Sequence, residues 1–270
     1  MSDSALHAQT AAAQAYEELF VPALFSQWTG RVAGIARITT GEHVLDVACG
    51  TGVLARDAAS RVGPSGSVAG VDANAGMLAV AAALAPGIAW RQCGAEALPY
   101  PDGSFDAVVS QFGLMFFHDR RKALHEVQRV LKSGGRLAVA VWGPLESAPA
   151  YADEVKLVER LAGKAAADAL RAPFALGDSR ELAQLVSDAS GMTATITTER
   201  GTARFPSIRA MVEAELRGWL PLMDIVLPED LIERILAEAE RALRSYVTGA
   251  GTVAFPVSAH IASGSKSTAV

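Results

Sequence analysis

His43-Val44-Leu45-Asp46-Val47-Ala48-Cys49-Gly50-Thr51-Gly52 decides the fold. Val44, Leu45 and Val47 form a short apolar run of the β type, and the run ends in a loop with two close glycines. Val53, Leu54, Ala55, Ala58 and Ala59 follow at helical spacing. Strand, glycine turn and helix make the first half of a βαβ unit, which predicts an α/β, Rossmann-like fold. Gly50 and Gly52 lack a Cβ, so the backbone there turns sharply and a ligand comes close to it. The free N–H groups that open the next helix point into the same space, beside Ala48 and the glycines. The stretch reads as a site for a nucleotide-type cofactor.

Two cofactors compete for that loop. Gly50-Thr51-Gly52-Val53-Leu54-Ala55 fits G-x-G-x-x-A, and Asp72 lies 20 residues beyond Gly52, as in a dinucleotide site. Asp46 argues against this reading, because a carboxylate near the end of the strand repels a pyrophosphate. It suits a ligand with an ammonium group. S-adenosylmethionine carries an ammonium, a sulfonium and a ribose diol, and no phosphate. In either case the acidic residue that ends the second strand, Asp72, accepts from the ribose hydroxyls, and Ala73 and Met77 flank the adenine.

VLDVACGTG resembles motif I of the class I S-adenosylmethionine-dependent methyltransferases. GAEALPYPDGSFDAVVSQFGLMFF and EVQRVLKSGGRLAVAVW resemble the later motifs of the ubiquinone/menaquinone-biosynthesis-type subgroup, in the same order. The resemblance covers roughly residues 40 to 145. It implies a seven-stranded, mostly parallel sheet whose last strand is antiparallel, with a helical lid. It implies N-terminal lid helices over 1–40, a cofactor-binding core over 41–145, and a substrate-binding helical region over 146–270. That last region carries the final two strands and a lid insertion over 206–250. It places Ser110, Phe112 and Met115 beside the transferred methyl, and Tyr16 and Phe20 over the cofactor mouth. Members of the subgroup carry an acidic residue just before the Ala-Glu pair, where it accepts from the adenine amino group. Here that position is Gly94. Adenine recognition therefore falls to the backbone of Gly94 and Ala95, with Glu96 the nearest carboxylate.

Beyond the core, Ala11–Gly34 predicts a helix interrupted at Pro22, and Arg120–Lys132 a helix capped by Asp119 and ended by Ser133-Gly134-Gly135. Phe112, Met115, Phe116 and Phe117 predict an apolar wall that excludes water. Tyr151–Ala169, Ser179–Ala189, Ser207–Leu220 and Pro228–Val247 predict helices, and Thr193–Arg204 and Val253–Ala262 predict strands. The apolar connection Gly218–Met223 offers Trp219 to an acceptor molecule.

Methyl transfer is an in-line displacement whose leaving group comes from the cofactor, so no nucleophilic side chain is required. A general base is needed only for an acceptor that holds its proton, and His118, just past the apolar wall, is the candidate, ahead of His260 and Tyr151. Cys49 and Cys93 read as small buried fillers, and no metal site is expected. A net charge of −5, with no long Lys/Arg run, points away from nucleic acid. The N-terminus lacks a secretory pattern and no apolar run spans a bilayer, which predicts a cytoplasmic protein. The expected function is methyl transfer from S-adenosylmethionine to O, C or N of a small, apolar or aromatic molecule, and a homodimer is compatible with it. An NAD(P)-dependent oxidoreductase and a non-catalytic S-adenosylmethionine-binding regulator are the alternatives.

Overall fold

A computed structural model describes residues 3–268. The chain opens with α1 (Asp3–Ala15), a π-helical stretch Tyr16–Phe25, and α2 (Ser26–Ile35). The helical segment is longer than Ala11–Gly34 predicts, and Pro22 widens it instead of breaking it. Proline donates no N–H and crowds the preceding turn, and both problems ease where the turn is wide.

The core alternates strand and helix: β1 (His43–Val47), α3 (Val53–Val62), β2 (Ser67–Asp72), α4 (Ala75–Leu84), β3 (Ala89–Gln92), β4 (Phe105–Gln111), α5 (Arg120–Val130) and β5 (Leu131–Trp142). Then come α6 (Pro149–Ala162), α7 (Lys164–Arg171), α8 (Ser179–Ser190), β6 (Thr195–Phe205), α9 (Ile208–Ala214), a π-helical turn Glu215–Trp219, the short α10 (Leu220–Leu222), α11 (Glu229–Ala242) and β7 (Val253–Ser265). The strands form one seven-stranded sheet in the order β3-β2-β1-β4-β5-β7-β6. β1 pairs in parallel with β2 on one side (Leu45 opposite Ala69) and β4 on the other (Leu45 opposite Val108). Strands buried on both faces carry apolar runs instead of alternation, and Val44, Leu45 and Val47 are all buried. β7 runs antiparallel to β5: Gly134 N–H donates to Lys266 O at 3.0 Å, and further along Gly143 N–H donates to Ser258 O at 2.8 Å. The mostly parallel sheet with an antiparallel last strand is thus as the motifs implied. Chain order reverses between β1 and β4, so their C-terminal ends form the switch point where open α/β sheets take ligands.

Several boundaries differ from expectation. Helix α5 stops at Val130, and Leu131 begins β5. Ser133-Gly134-Gly135 lies inside that strand. Phe105 pairs with Leu131 and Ala107 with Arg136, so the intervening residues bulge, with Gly134 at φ +74°. Leu131 is buried in the sheet, not on a helix stripe. The helix expected over Tyr151–Ala169 is two helices, parted at Gly163 with φ +87°. The helix expected over Pro228–Val247 ends at Ala242. Asp119 caps α5, accepting from Lys122 N–H at 3.0 Å.

The chain divides into two compact units, Met1–Val141 with Asp178–Glu199 and His260–Val270, and Trp142–Gly177 with Arg200–Ala259. Among the described residues no helix is long and apolar enough to cross a membrane.

Candidate functional site

The switch point lies in the first unit. Ala48, just past β1, and Phe112, just past β4, have φ +57° and +58°. Non-glycine residues rarely occupy this region, and when held there they concentrate at ligand sites. The two strand ends meet closely, because a Cβ on Gly113 would sit 2.6 Å from the Cβ of Ala48.

The glycine loop is laced to β2. Cys49 N–H donates to Val71 O at 3.0 Å, and Gly50 N–H donates to Asp72 Oδ2 at 2.8 Å. Asp72 Oδ1 accepts from Asn74 N–H at 2.8 Å, and Asn74 in turn caps α4 through Met77 N–H at 3.0 Å. The two glycines differ. A Cβ on Gly50 would meet nothing within 4 Å, so that side of the loop is open. A Cβ on Gly52 would lie 2.5 Å from Trp90 Cη2. The missing side chain at Gly52 therefore makes room for an indole, and only its backbone is left for a ligand. The same ring excludes a Cβ from Gly70, at 2.3 Å, and its N–H donates to Ala85 O at 3.0 Å. Sequence reasoning missed Trp90, whose role depends on strands pairing over long range. Gly52→Ala combines a left-handed φ of +84° with this collision. It should lower unfolding stability by about 2–4 kcal/mol in urea titrations. In a double-mutant cycle with Trp90→Leu, about 1–3 kcal/mol should return as coupling.

Buried polar atoms are ordinarily paired. Around this switch point several are not. Both carboxylate oxygens of Asp46, Thr51 Oγ1, Ser110 Oγ and Gln111 Oε1 are buried without a hydrogen-bond partner. Burial pushes the Asp46 carboxyl well above its ordinary value, the backbone N–H of Ala55 eases it, and Asp72 raises it further. Burial also raises Asp72, against the pull of the N–H groups it accepts from. Such a set asks for a polar ligand with donors, above all a cation. Among the described residues no group of three or more His, Cys, Asp or Glu can hold a metal ion.

The N-terminal helices reach the same place. Glu17 pairs with Arg56 Nη2 at 2.7 Å, and Arg56 Nη1 donates to Thr51 O at 2.6 Å. Burial and the nearby carboxylates of Asp72 and Glu17 push the Tyr16 hydroxyl far up. Its ring stacks on Phe25 at 5.2 Å and lies 5.8 Å from Phe20, while Phe25 lies 5.6 Å from Phe112. α1 lies against α4 so closely that a Cβ on Gly76 would be 2.4 Å from Gln9 O.

Past β3, Ala95 is buried, and Glu96 folds back toward Gly94. Its Oε2 lies 2.9 Å from where a Gly94 Cβ would be, and its Oε1 accepts from Asp119 N–H at 3.2 Å. A carboxylate thus returns to position 94 from two residues on. Ala73 is exposed and Met77 half-buried at the start of α4. Phe112 and Met115 are buried, but Phe116 is 44% exposed, so the expected wall is smaller than four residues. His118 is exposed in a shallow depression with Phe117, Asp119, Arg120 and Arg121. His260 is buried, its Nδ1 2.8 Å from Thr198 Oγ1. Cys49 and Cys93 are free thiols, the first buried. Trp219 belongs to the second unit, where its indole N–H donates to Ala169 O at 2.9 Å. Glu17 and Arg56 join the site unannounced, since nothing in their local sequence sets them apart.

Residues 45–139 match the model of the methyltransferase domain family. The ubiquinone/menaquinone biosynthesis C-methyltransferase UbiE of Stenotrophomonas maltophilia is 44% identical over 118 residues, which are 42% of this chain and 47% of that protein. The protein of the same name from Bordetella avium is 40% identical over 151 residues, 54% of this chain and 59% of its own length. The chain thus spans about half the length of the curated relatives it matches. A crystal structure of a putative methyltransferase from an antibiotic biosynthesis pathway of Anabaena variabilis shares the fold. Its TM-score is 0.65 at 16% identity, over 87% of this chain and 96% of that one. The motifs read between Leu45 and Val139 therefore resemble those of a methyltransferase domain.

Proposed function

We propose that this chain transfers a methyl group from S-adenosylmethionine to a small acceptor molecule. The observation that carries the reading is Asp46, a buried carboxyl with no hydrogen bond of ordinary geometry, beside an open glycine loop. It suits the ammonium of the cofactor and opposes a pyrophosphate. When bound, S-adenosylmethionine supplies a methyl group already activated on a sulfonium.

The chain's own part is binding, orientation and exclusion of water. The backbone of Ala48, Gly50 and Gly52 shapes the loop. Asp72 receives the ribose hydroxyls. Ala73 and Met77 flank the adenine, and its polar edge meets the backbone of Gly94 and Ala95 and the carboxylate of Glu96. Ser110, Phe112 and Met115 border the methyl end, and Tyr16 and Phe20 close over it. The acceptor is a small apolar or aromatic molecule, methylated at O, C or N. His118 takes a proton from acceptors that keep theirs at neutral pH.

Calorimetric titration with S-adenosylmethionine and S-adenosylhomocysteine tests this directly. Micromolar binding of either supports it. Binding of NADH with no heat from either would overturn it in favour of an oxidoreductase. Methyl transfer to a panel of phenols, quinols and amines then separates an enzyme from a regulator that only binds. Glu96→Gln keeps the shape and removes the charge. It should weaken S-adenosylmethionine about tenfold, the worth of one charge-assisted hydrogen bond. An unchanged Kd would remove Glu96 from the adenine site.

A further inference from the structure

The second unit holds two neighbouring carboxyl groups, one fully buried and one half-buried, and gives them no base. Glu154, on α6, is fully buried, and neither of its oxygens has a hydrogen-bond partner. Glu215 opens the π-helical turn after α9. Burial, then the charge of Glu215, holds the Glu154 carboxyl well above its ordinary value, and burial lifts Glu215 to about 7. Tyr151, one helical turn before Glu154, sets its hydroxyl beside Glu215, and that hydroxyl is buried without a hydrogen bond of ordinary geometry. The Tyr151 ring meets Phe255 edge-on at 5.3 Å and lies 6.0 Å from Phe174. Tyr246 and Phe205 flank Phe255 at 6.1 and 6.4 Å.

This unit does not lack cations. Arg160, Arg171, Arg209 and Arg217 each pair with an acid elsewhere. Among the described residues none forms an ion pair with Glu154 or Glu215. A buried carboxyl without a partner is costly, and a core that needed only packing is served as well or better by an apolar side chain. Two carboxyls and a phenol oxygen offer acceptors, and the rings beside them offer apolar walls and π faces. A hard metal ion would want more oxygen ligands than this, and no such group of acidic residues is present among the described ones. An ammonium on a hydrocarbon stem satisfies both halves of the site.

We propose that Glu154, Glu215 and Tyr151 bind the ammonium group of a small organic amine, whose hydrocarbon part lies against Phe174 and Phe255. The inference stands apart from the methyltransferase reading, since every residue in it belongs to the second unit. The bound cation requires at least one carboxylate, so the pair gives up a proton on binding wherever both are protonated beforehand. The groups that share this titration are Glu154, Glu215 and Tyr151.

The test uses the full chain with benzylammonium as probe and benzyl alcohol as its neutral counterpart. Calorimetry at about pH 6.5, in two buffers of different ionisation enthalpy, should show benzylammonium binding with proton release. The alcohol should bind at least tenfold more weakly. Glu154→Gln and Glu215→Gln should each weaken the amine about tenfold or more, and Tyr151→Phe a few-fold. Both glutamine variants should unfold in urea at or above the wild-type midpoint, and S-adenosylmethionine titrations should match wild type. Equal affinity for amine and alcohol, no heat from the amine, or unchanged amine affinity in both glutamine variants would overturn the proposal. Because the amine titration needs no S-adenosylmethionine, failure of the methyltransferase reading leaves this test intact.

Discussion

Asp72→Ala is expected to weaken S-adenosylmethionine binding by about two to three orders of magnitude while the protein stays folded. Each Asp72 oxygen already accepts one backbone N–H, from Gly50 and from Asn74, both at 2.8 Å. A carboxylate has about four acceptor positions, so two remain for a ribose diol. Hydrogen bonds to a charged group are worth about 1.5–3 kcal/mol each, so two at the low end of that range give about 3 kcal/mol, or about two orders of magnitude. Alanine also releases Gly50, so the glycine loop loses the tie that fixes its open side toward the ligand. The fold does not depend on this carboxylate. Asn74 caps α4 by itself, and β2 keeps its backbone pairing to β1 and β3. Asp72→Asn keeps one oxygen for a backbone N–H, loses the charge, and should fall in between. Calorimetric titration of both variants, with far-UV circular dichroism as the control for folding, decides the matter. Retention of affinity within tenfold by a folded Asp72→Ala would remove Asp72 from the ribose site.

The part of the fold legible in the sequence is the part where burial and local pattern coincide. Val44, Leu45 and Val47 are apolar because β1 is covered on both faces, so the central strand is visible as a run, and the glycine turn and helix follow at once. Asp72 ends a strand before a capped helix, which places it without any distant information. Other features hide for physical reasons. Leu131 continues the i, i+3, i+4 spacing of Leu124 and Val127, so helix periodicity claims it, yet pairing with Phe105 takes it into β5. Ser133-Gly134-Gly135 looks like a helix stop because a strand bulge uses the same residues. Gly52 looks like a ligand glycine, and only the packed sheet brings Trp90 onto it. Glu17 and Arg56 are 39 positions apart, a contact that no local pattern announces. Glu96 was visible as the nearest acid to Gly94, but its return toward that position depends on Asp119, which β4 and its following turn supply.

Asp46→Asn is expected to move stability and affinity in opposite directions. In the free protein Asp46 is a buried carboxyl with no hydrogen bond of ordinary geometry, raised by burial against the pull of the Ala55 N–H and raised further by Asp72. Its folded pKa lies above the ordinary 3.8, so the folded chain holds the proton more tightly than the unfolded one. As pH rises past 3.8 the unfolded chain releases its proton first, and the stability that Asp46 contributes falls until the folded pKa is reached. Asparagine does not titrate. The stability of Asp46→Asn relative to wild type should therefore climb with pH from about 4 and then level off, by about 1–3 kcal/mol in all. Using the difference between the two proteins cancels the like slope from Glu154 and Glu215. Binding should show the reverse. An ammonium beside Asp46 turns the buried charge from a burden into one half of an ion pair, and removing one partner of such a pair costs about 2–5 kcal/mol. A loss of about a hundredfold in S-adenosylmethionine affinity follows at neutral pH. Wild-type affinity should increase with pH up to the folded pKa, because the neutral acid must lose its proton to pair, whereas the affinity of the variant should be flat over that range. Urea titrations of the free proteins and calorimetry across the same pH series measure both slopes. A variant that binds as tightly as wild type, or that is less stable without ligand, would mean that the Asp46 carboxylate serves the packing of β1 and not a cation.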